Sequence, residues 1–169
     1  MKTLEMDPLA QAEFQTVQDF IFLEAWYADE SRYDEWEALL TDDMVYRVPA
    51  GDGHDTSDLA PSIINDNRSR IATRLRQLRT GTRHSQAPVS VMRRLISNLT
   101  VARHGADEFR AEANFVVYEY QTQSVNQIVI WPGQVQYVLR QTADGLRMCG
   151  KTVWLIHRSG PVPTLSFLI

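Results

Sequence analysis

Apolar residues recur every three or four positions in the first part of the chain and every two positions in the rest. Phe14, Val17, Ile21, Ala25 and Ala28 share one stripe of a 3.6-residue period, which predicts a helix from Pro8 to Ala28. Phe20, Leu23 and Trp26 widen that stripe, so the helix is expected to be largely covered. Pro8 suits a first helical turn, where its missing N–H has no intrahelical partner to lose. Asp29-Glu30-Ser31 breaks the pattern, and Ser31 with Asp34 reads as a capping signal for a short helix through Leu40. That helix would bury Tyr33, Trp36 and Leu40. Met44, Tyr46 and Val48 then alternate with Val45 and Arg47, a short strand ended by Pro49. A polar loop with two glycines follows over 50–62. Pro61 is expected to open a third helix to about Leu78, with Ile64, Ile71, Leu75 and Leu78 inward and Arg68, Arg70, Arg74, Arg76 and Arg79 on its other face.

Beyond residue 90 the period is two. Val91, Arg93, Leu95, Ser97, Leu99 and Val101 alternate with Met92, Arg94, Ile96, Asn98 and Thr100, and His104 to Asp107 form a turn. A strand from Phe109 to Gln121 points Phe109, Ala111, Ala113, Phe115 and Val117 one way. The next runs from Val125 to Trp131, is interrupted at Pro132-Gly133 by a bend or bulge, and resumes through Val135, Tyr137 and Leu139. Ala143-Asp144-Gly145 is a hairpin turn before a last strand from Leu146 to His157. Helices followed by four long strands predict an α+β fold. Its expected form is a cystatin-like/NTF2-like cone, with N-terminal helices packed on a curved, mainly antiparallel sheet. No repeat or linker divides residues 1–169, so one domain is expected.

The net charge of -4 and the pI of about 5.5 argue against nucleic acid or a membrane surface as partner. No apolar run approaches the roughly 18 residues of a membrane span. The acid-bearing N-terminal stretch lacks the apolar core of a secretion signal, so a cytoplasmic location is expected. One cysteine, Cys149, cannot form an internal disulfide and cannot supply an iron–sulfur cluster by itself. Within LRMCGKTVWLI it reads as a buried, inert thiol.

The histidines are His54, His84, His104 and His157, and none falls in a metal-site spacing. His54 beside Asp55 and His104 in a turn read as solvated; His84, near the expected cone mouth, is the candidate among them. Asp29, Asp34, Asp42 and Asp43 are candidate general bases for a cone pocket. Their plainer reading is as helix ends and turn residues. The arginine stripe of the third helix reads first as a solvated face and second as a protein interface. GDGH is too short for a phosphate loop, so no nucleotide cofactor is expected. The apolar ending Pro163-Thr164-Leu165-Ser166-Phe167-Leu168-Ile169 either returns to its own core, the reading preferred here, or covers a partner.

Four stretches, EAWYADESRYDEWEALLTDDMVYRVP, RIATRLRQLRTG, APVSVMRRLISNLTV and DGLRMCGKTVWLI with the ending LSFLI, together resemble the β subunits of bacterial Rieske-type aromatic-ring-hydroxylating dioxygenases. EAWYADESRYDEWEALLTDDMVYRVP is similar to that family's N-terminal signature through Glu24, Arg32, Trp36, Asp42 or Asp43, Tyr46 and Pro49. RIATRLRQLRTG matches through Arg70, Arg74, Leu75 and Gly81. APVSVMRRLISNLTV matches through Pro88, Ser90, Arg93 or Arg94, Ser97 and Asn98. The end matches through Asp144, Gly145, Lys151, Leu165 and Ser166. The loop over 50–62 is short for the family, and Thr82-Arg83-His84 replaces its usual Ala-Trp.

The resemblance implies a structural subunit with no catalytic, cofactor-binding or metal residues of its own. Its partner would be the large α subunit, carrying a Rieske [2Fe-2S] cluster and a mononuclear non-haem iron, in an α3β3 hexamer. In some members the small subunit influences substrate choice. Two other readings stay open. One is a free-standing cone-fold dehydratase or isomerase using an Asp with His84 or Tyr46; the other is a small-ligand binder. A cone filled by side chains favours the subunit, and an open polar-lined pocket favours the enzyme.

Overall fold

The computed structural model describes residues 9–51, 60–80, 89–122, 126–163 and 165–169. The expectations for Pro8, His54, Asp55, Gly81 to Pro88 and Val125 lie outside these residues.

Helix α1 spans Gln11–Asp29 and buries Val17, Ile21, Glu24, Ala25 and Ala28, the stripe expected from its period. It is less covered than predicted, because Phe22 and Trp26 stand half exposed and Leu23 is exposed as well. The sheet reaches one side of the helix only, and Trp26 lies instead under the Arg32 guanidinium, 4.9 Å from its ring centre.

Helix α2 spans Tyr33–Ala38 with Arg32 at its N-cap and no side-chain cap. Ser31 is therefore not the cap. It sits in the left-handed region at φ 55°, and its hydroxyl accepts from the Tyr33 phenol. Leu40 begins β1 (Leu40–Pro49) rather than ending the helix, and Met44, Tyr46 and Val48 point inward as predicted. Asp42 and Asp43 lie within this strand, where its pairing register shifts.

Pro61 does not open a helix. Ser62–Asn67 forms β2, antiparallel to β1 from Pro49↔Ser62 to Val45↔Asn67. Helix α3 (Arg68–Arg79) begins only at Asn67, whose side chain accepts from the Arg70 N–H at 3.1 Å. Ile64 thus reaches the core from a strand, and its seven-residue spacing from Ile71 imitates a helical stripe. The arginines of α3 are not a bare solvated row. Arg68 and Arg79 pair with Glu37 of α2 at 2.7 and 2.6 Å, and Arg74 pairs with Asp66 of β2 at 2.7 Å.

Strand β3 (Val91–Arg103) changes phase midway. Met92, Arg94 and Ile96 point inward, then Leu99 and Val101, because a bulge places Asn98 at φ 53°. Strands β4 (Glu108–Gln121), β5 (Gln127–Thr142) and β6 (Gly145–Leu155) complete the sheet. Pro132-Gly133 interrupts nothing, since β4 and β5 stay in register from Gln121↔Gln127 to Glu108↔Arg140. Pro132 is tolerated because the Pro132 carbonyl accepts from Ile156, just past the end of β6. Its missing N–H faces the same side, where the ladder has already stopped. Gly133 is required by close approach: a Cβ there would lie 2.5 Å from the Trp154 carbonyl oxygen and 2.8 Å from the Phe115 ring.

The six strands run in the order β2-β1-β6-β5-β4-β3. All neighbours are antiparallel except β1 and β6. The core lies between the inner face of this sheet, α1 and the C-terminal segment, of which Leu165, Phe167, Leu168 and Ile169 are buried. That segment returns to its own domain's core.

Candidate functional site

Five elements aim charged or phenolic side chains into the cone, each from an otherwise apolar register. Glu24 shares the buried stripe of α1 with Val17, Ile21 and Ala28. Lys151 falls in phase with Val153 and Leu155, and Arg94 with Met92 and Ile96. Burying an ion costs several kcal/mol unless its partners are well placed, and here they are. Glu24 Oε1 accepts from Lys151 Nζ at 2.8 Å and Trp36 Nε1 at 2.6 Å, while the Tyr137 phenol approaches Oε2 at 3.4 Å. Arg94 gives its backbone N–H and its Nε to Asp29 at 2.9 and 2.7 Å, and its Nη2 to the Leu168 carbonyl at 2.9 Å. The Tyr46 phenol donates to the Ile169 main-chain oxygen at 2.8 Å and accepts the Ile169 N–H at 3.1 Å. Glu24, Trp36, Tyr46 and Lys151 come from separated segments of the chain and meet in one network.

The network fixes its own charge states. Burial raises the Glu24 pKa, but the nearby charges of Lys151 and Arg94 outweigh it and hold the carboxyl below its usual value of 4.5. Burial lowers Lys151, against the pull of Glu24. Burial drives both phenols upward: Tyr46 ionises well above 10, and Tyr137, facing the Glu24 charge, does likewise. Tyr46 is thus a fixed hydrogen-bonding group and not an accessible acid or base.

No room for a substrate accompanies these groups. The cavity bounded by Arg94, Ile96, Phe115, Tyr137, Lys151 and Ile169 measures about 10 Å³, the lower limit for holding one water. Asp29, one candidate general base, is consumed by Arg94. Asp34 is exposed and pairs with Arg79, Asp42 is exposed, and Asp43 pairs with Arg140 at 2.9 Å. His104 lies exposed in the β3–β4 turn, and the His157 ring lies 5.8 Å from that of Trp131. Cys149 is half buried, donates to the Val138 carbonyl at 3.3 Å, and is pushed up by burial. Among the described residues no three His, Cys, Asp or Glu side chains gather as metal ligands. A Rieske cluster takes two Cys and two His, so a chain with one Cys does not fit that group.

Sequence reasoning did not see Lys151, Asp29 and Glu119 as buried partners. Glu119 follows Phe115 and Val117 inward on β4 and accepts from Ser90 Oγ and Trp131 Nε1, both at 3.0 Å. The available signal was a charge standing in the apolar phase of a regular element.

The opposite face of the sheet differs. Val91, Leu95, Tyr118, Tyr120, Ile128 and Ile130 are exposed there; the cross-strand pairs Val91↔Tyr120, Tyr120↔Ile128 and Tyr118↔Ile130 bring five of them side by side, and Leu95 lies opposite Val116 further along β3. Next to it an open hollow of about 540 Å³ runs past Asn114, Val116, Pro132, Gln134, Trp154 and Ile156. Trp154 Nε1 and Arg158 Nε are buried near it without a hydrogen-bond partner among the described residues.

Known proteins are similar to this chain in sequence and in fold. The family model described as ring hydroxylating beta subunit matches residues 23–159. The small oxygenase component of the p-cumate 2,3-dioxygenase system of Pseudomonas putida is 30% identical over 141 residues, covering 82% of this chain and 77% of its own. The β subunit of biphenyl 2,3-dioxygenase from Rhodococcus jostii RHA1 is 25% identical over 177 residues, covering 98% and 92%. A chain of naphthalene 1,2-dioxygenase, solved with indole in the active site, superposes with a TM-score of 0.82 at 15% identity over 98% of this chain and 91% of its own. The NTF2-like fold and the α+β order read from the sequence are those of these subunits, and this chain belongs to the ring hydroxylating beta subunit family.

Proposed function

We propose that this chain is the structural, non-catalytic small subunit of a multicomponent aromatic-ring-hydroxylating dioxygenase, serving aromatic compound catabolism. The observation that carries this reading is the filled cone: a family member whose interior is occupied by its own ion pairs has no place to hold a substrate. The exposed patch centred on Leu95, Tyr118 and Ile130 supports a protein partner, because a monomer rarely leaves so much contiguous apolar surface in water. That partner is the large α subunit, in an α3β3 assembly. It would carry the Rieske cluster and the mononuclear iron. The assignment covers residues 1–169 as one domain, with no catalytic, cofactor-binding or metal residue, in the cytoplasm and away from nucleic acid and membrane. Among the described residues no helix is long and apolar enough to cross a membrane.

The test is co-expression with a large subunit carrying Rieske Cys and His pairs. The purified single chain is expected to hold no iron and to oxidise no arene, while the co-purified complex is expected to hold iron and, given O2 and an added electron donor, to oxidise an arene. Unaided turnover by the single chain overturns the reading.

A further inference from the structure

The outer face of the sheet is not uniform. Its cross-strand rows run from Tyr120↔Ile128 through Tyr118↔Ile130 and Val116↔Pro132 to Asn114↔Gln134 and Glu112↔Gln136. The first two rows carry exposed apolar side chains, and the hollow opens at the third, where β6 ends at Leu155. Apolar rows and hollow are therefore continuous. The turn after β6 seats Arg158 on the hollow: its N–H donates to the Leu155 carbonyl at 3.3 Å, and its carbonyl accepts the Gly51 N–H at 2.9 Å. The guanidinium is less fully engaged. Its Nη1 donates to the Leu155 carbonyl at 3.3 Å, its Nε is buried without an acceptor, and no carboxylate pairs with it among the described residues. Phe115, Val116, Pro132 and Ile156 give the hollow apolar walls. The acid among its lining residues, Glu112, already accepts from Gln136 at 2.8 Å. Glu112 lies four residues from Val116 along β4, roughly 13 Å at the rise of an extended strand. Ile156 is level with Val116, because its N–H donates to the Pro132 carbonyl at 3.2 Å, and Arg158 follows two residues beyond it. Arginine and acid thus stand at opposite ends.

Resting on the small-subunit reading above, we propose that this hollow is the socket for one acidic side chain of the large subunit, with Arg158 as its charged anchor and the neighbouring apolar rows packing around it. Charge complementarity selects the occupant. A guanidinium among apolar walls makes a stronger charge-assisted pair with a carboxylate than one in open water. Trp154 Nε1 and Arg158 Nε have no bond to give up at those nitrogens, so a turn of either side chain toward an incoming oxygen is a net gain. Glu112 repels an anion from the other end, which places the acid at Arg158 and sets the partner's register along the sheet. A basic or wholly apolar segment seated here would bury Arg158 unpaired, which is costly.

The experiment measures association of the full chain with the large subunit by biolayer interferometry, at low and at high salt. Wild type is compared with Arg158→Glu, Arg158→Gln and, as a control at an exposed position of α3, Arg76→Glu. Arg158→Glu is expected to weaken association at least about thirtyfold and Arg158→Gln about tenfold, both with a flatter salt dependence. Arg76→Glu is expected to bind as wild type does. Thermal unfolding of each free variant is expected to match wild type, which separates a lost anchor from a lost fold. In the complex of Arg158→Lys, a carbodiimide is expected to join residue 158 to an Asp or Glu of the large subunit, read by peptide mass spectrometry. Unchanged affinity and salt dependence in Arg158→Glu overturn the proposal and leave the subunit reading standing. So does an assembled Arg158→Lys complex in which residue 158 joins no acid of the large subunit. If wild type associates with no large subunit, the subunit reading itself fails, and the anchor with it.

Discussion

The two faces of the sheet obey different rules. On the inner face each buried charge has an opposite charge or several donors within hydrogen-bond reach, and the remaining space is too small for a ligand. On the outer face large apolar side chains sit in water at one end, and two buried N–H groups beside them have no acceptor among the described residues. The same strands build both, since alternation sends Phe115 and Val117 inward and Tyr118 and Tyr120 outward. The inner face is finished by this chain alone, and in the assembly proposed above the outer face is finished by the large subunit. In an enzyme of this architecture the demands would be reversed, with an unsatisfied interior waiting for substrate.

The sharpest way to break the comparison is Glu24→Ala. It strands Lys151 in the core and is expected to cost about 3–5 kcal/mol in denaturant unfolding. Adding Lys151→Met to Glu24→Ala is expected to recover most of that loss; if it does not, the pair is not what completes the interior. Next comes Gly133→Ala. Its Cβ would collide with the Trp154 carbonyl and the Phe115 ring, a backbone clash expected to cost about 1–3 kcal/mol in thermal unfolding. The pH response is a third test. Tyr46 and Tyr137 have folded-state pKa values raised above 10, so the fold favours their neutral forms. Their contribution is complete below pH 10 and is lost as pH climbs beyond it. Absorbance at 295 nm should show at least two of the six tyrosines ionising only together with unfolding. Titration of all six before unfolding would place these phenols in water. The smallest stability effect is expected outside. Ile128→Ser combined with Ile130→Ser should shift the single chain's stability by less than about 0.5 kcal/mol per site, while reducing co-purification with the large subunit severalfold. Unchanged co-purification would move the partner's footprint elsewhere.

How far the sequence carries follows the same division. The alternation of Phe109 to Val117, the Ala143-Asp144-Gly145 turn and the inward Met44, Tyr46 and Val48 are local signals, and they specify the strands. Strand β2 is not local: Ser-Ile-Ile-Asn-Asp-Asn has too little alternation to announce itself and becomes a strand because β1 offers it an edge. The Asn98 bulge reverses the phase of β3 at a residue whose short polar side chain tolerates the left-handed region. Nothing in periodicity separates Phe22 and Trp26, which face solvent, from Phe20, which faces the core. Within the candidate site, Tyr46 was legible as a pocket-facing residue, but its inertness follows from Ile169, 123 positions away.

The lone parallel ladder has a consequence for how the molecule comes into being. Val45, Tyr46 and Arg47 sit beside Gly150, Lys151 and Thr152, about a hundred residues later in the chain. During synthesis β1 can pair with β2 on one edge, but its other edge has no partner until the last strand leaves the ribosome. Long-range pairings of this kind fold slowly and leave sticky edges open meanwhile. Nascent chains stalled before residue 145 should therefore be chaperone clients, and those released after residue 155 should not.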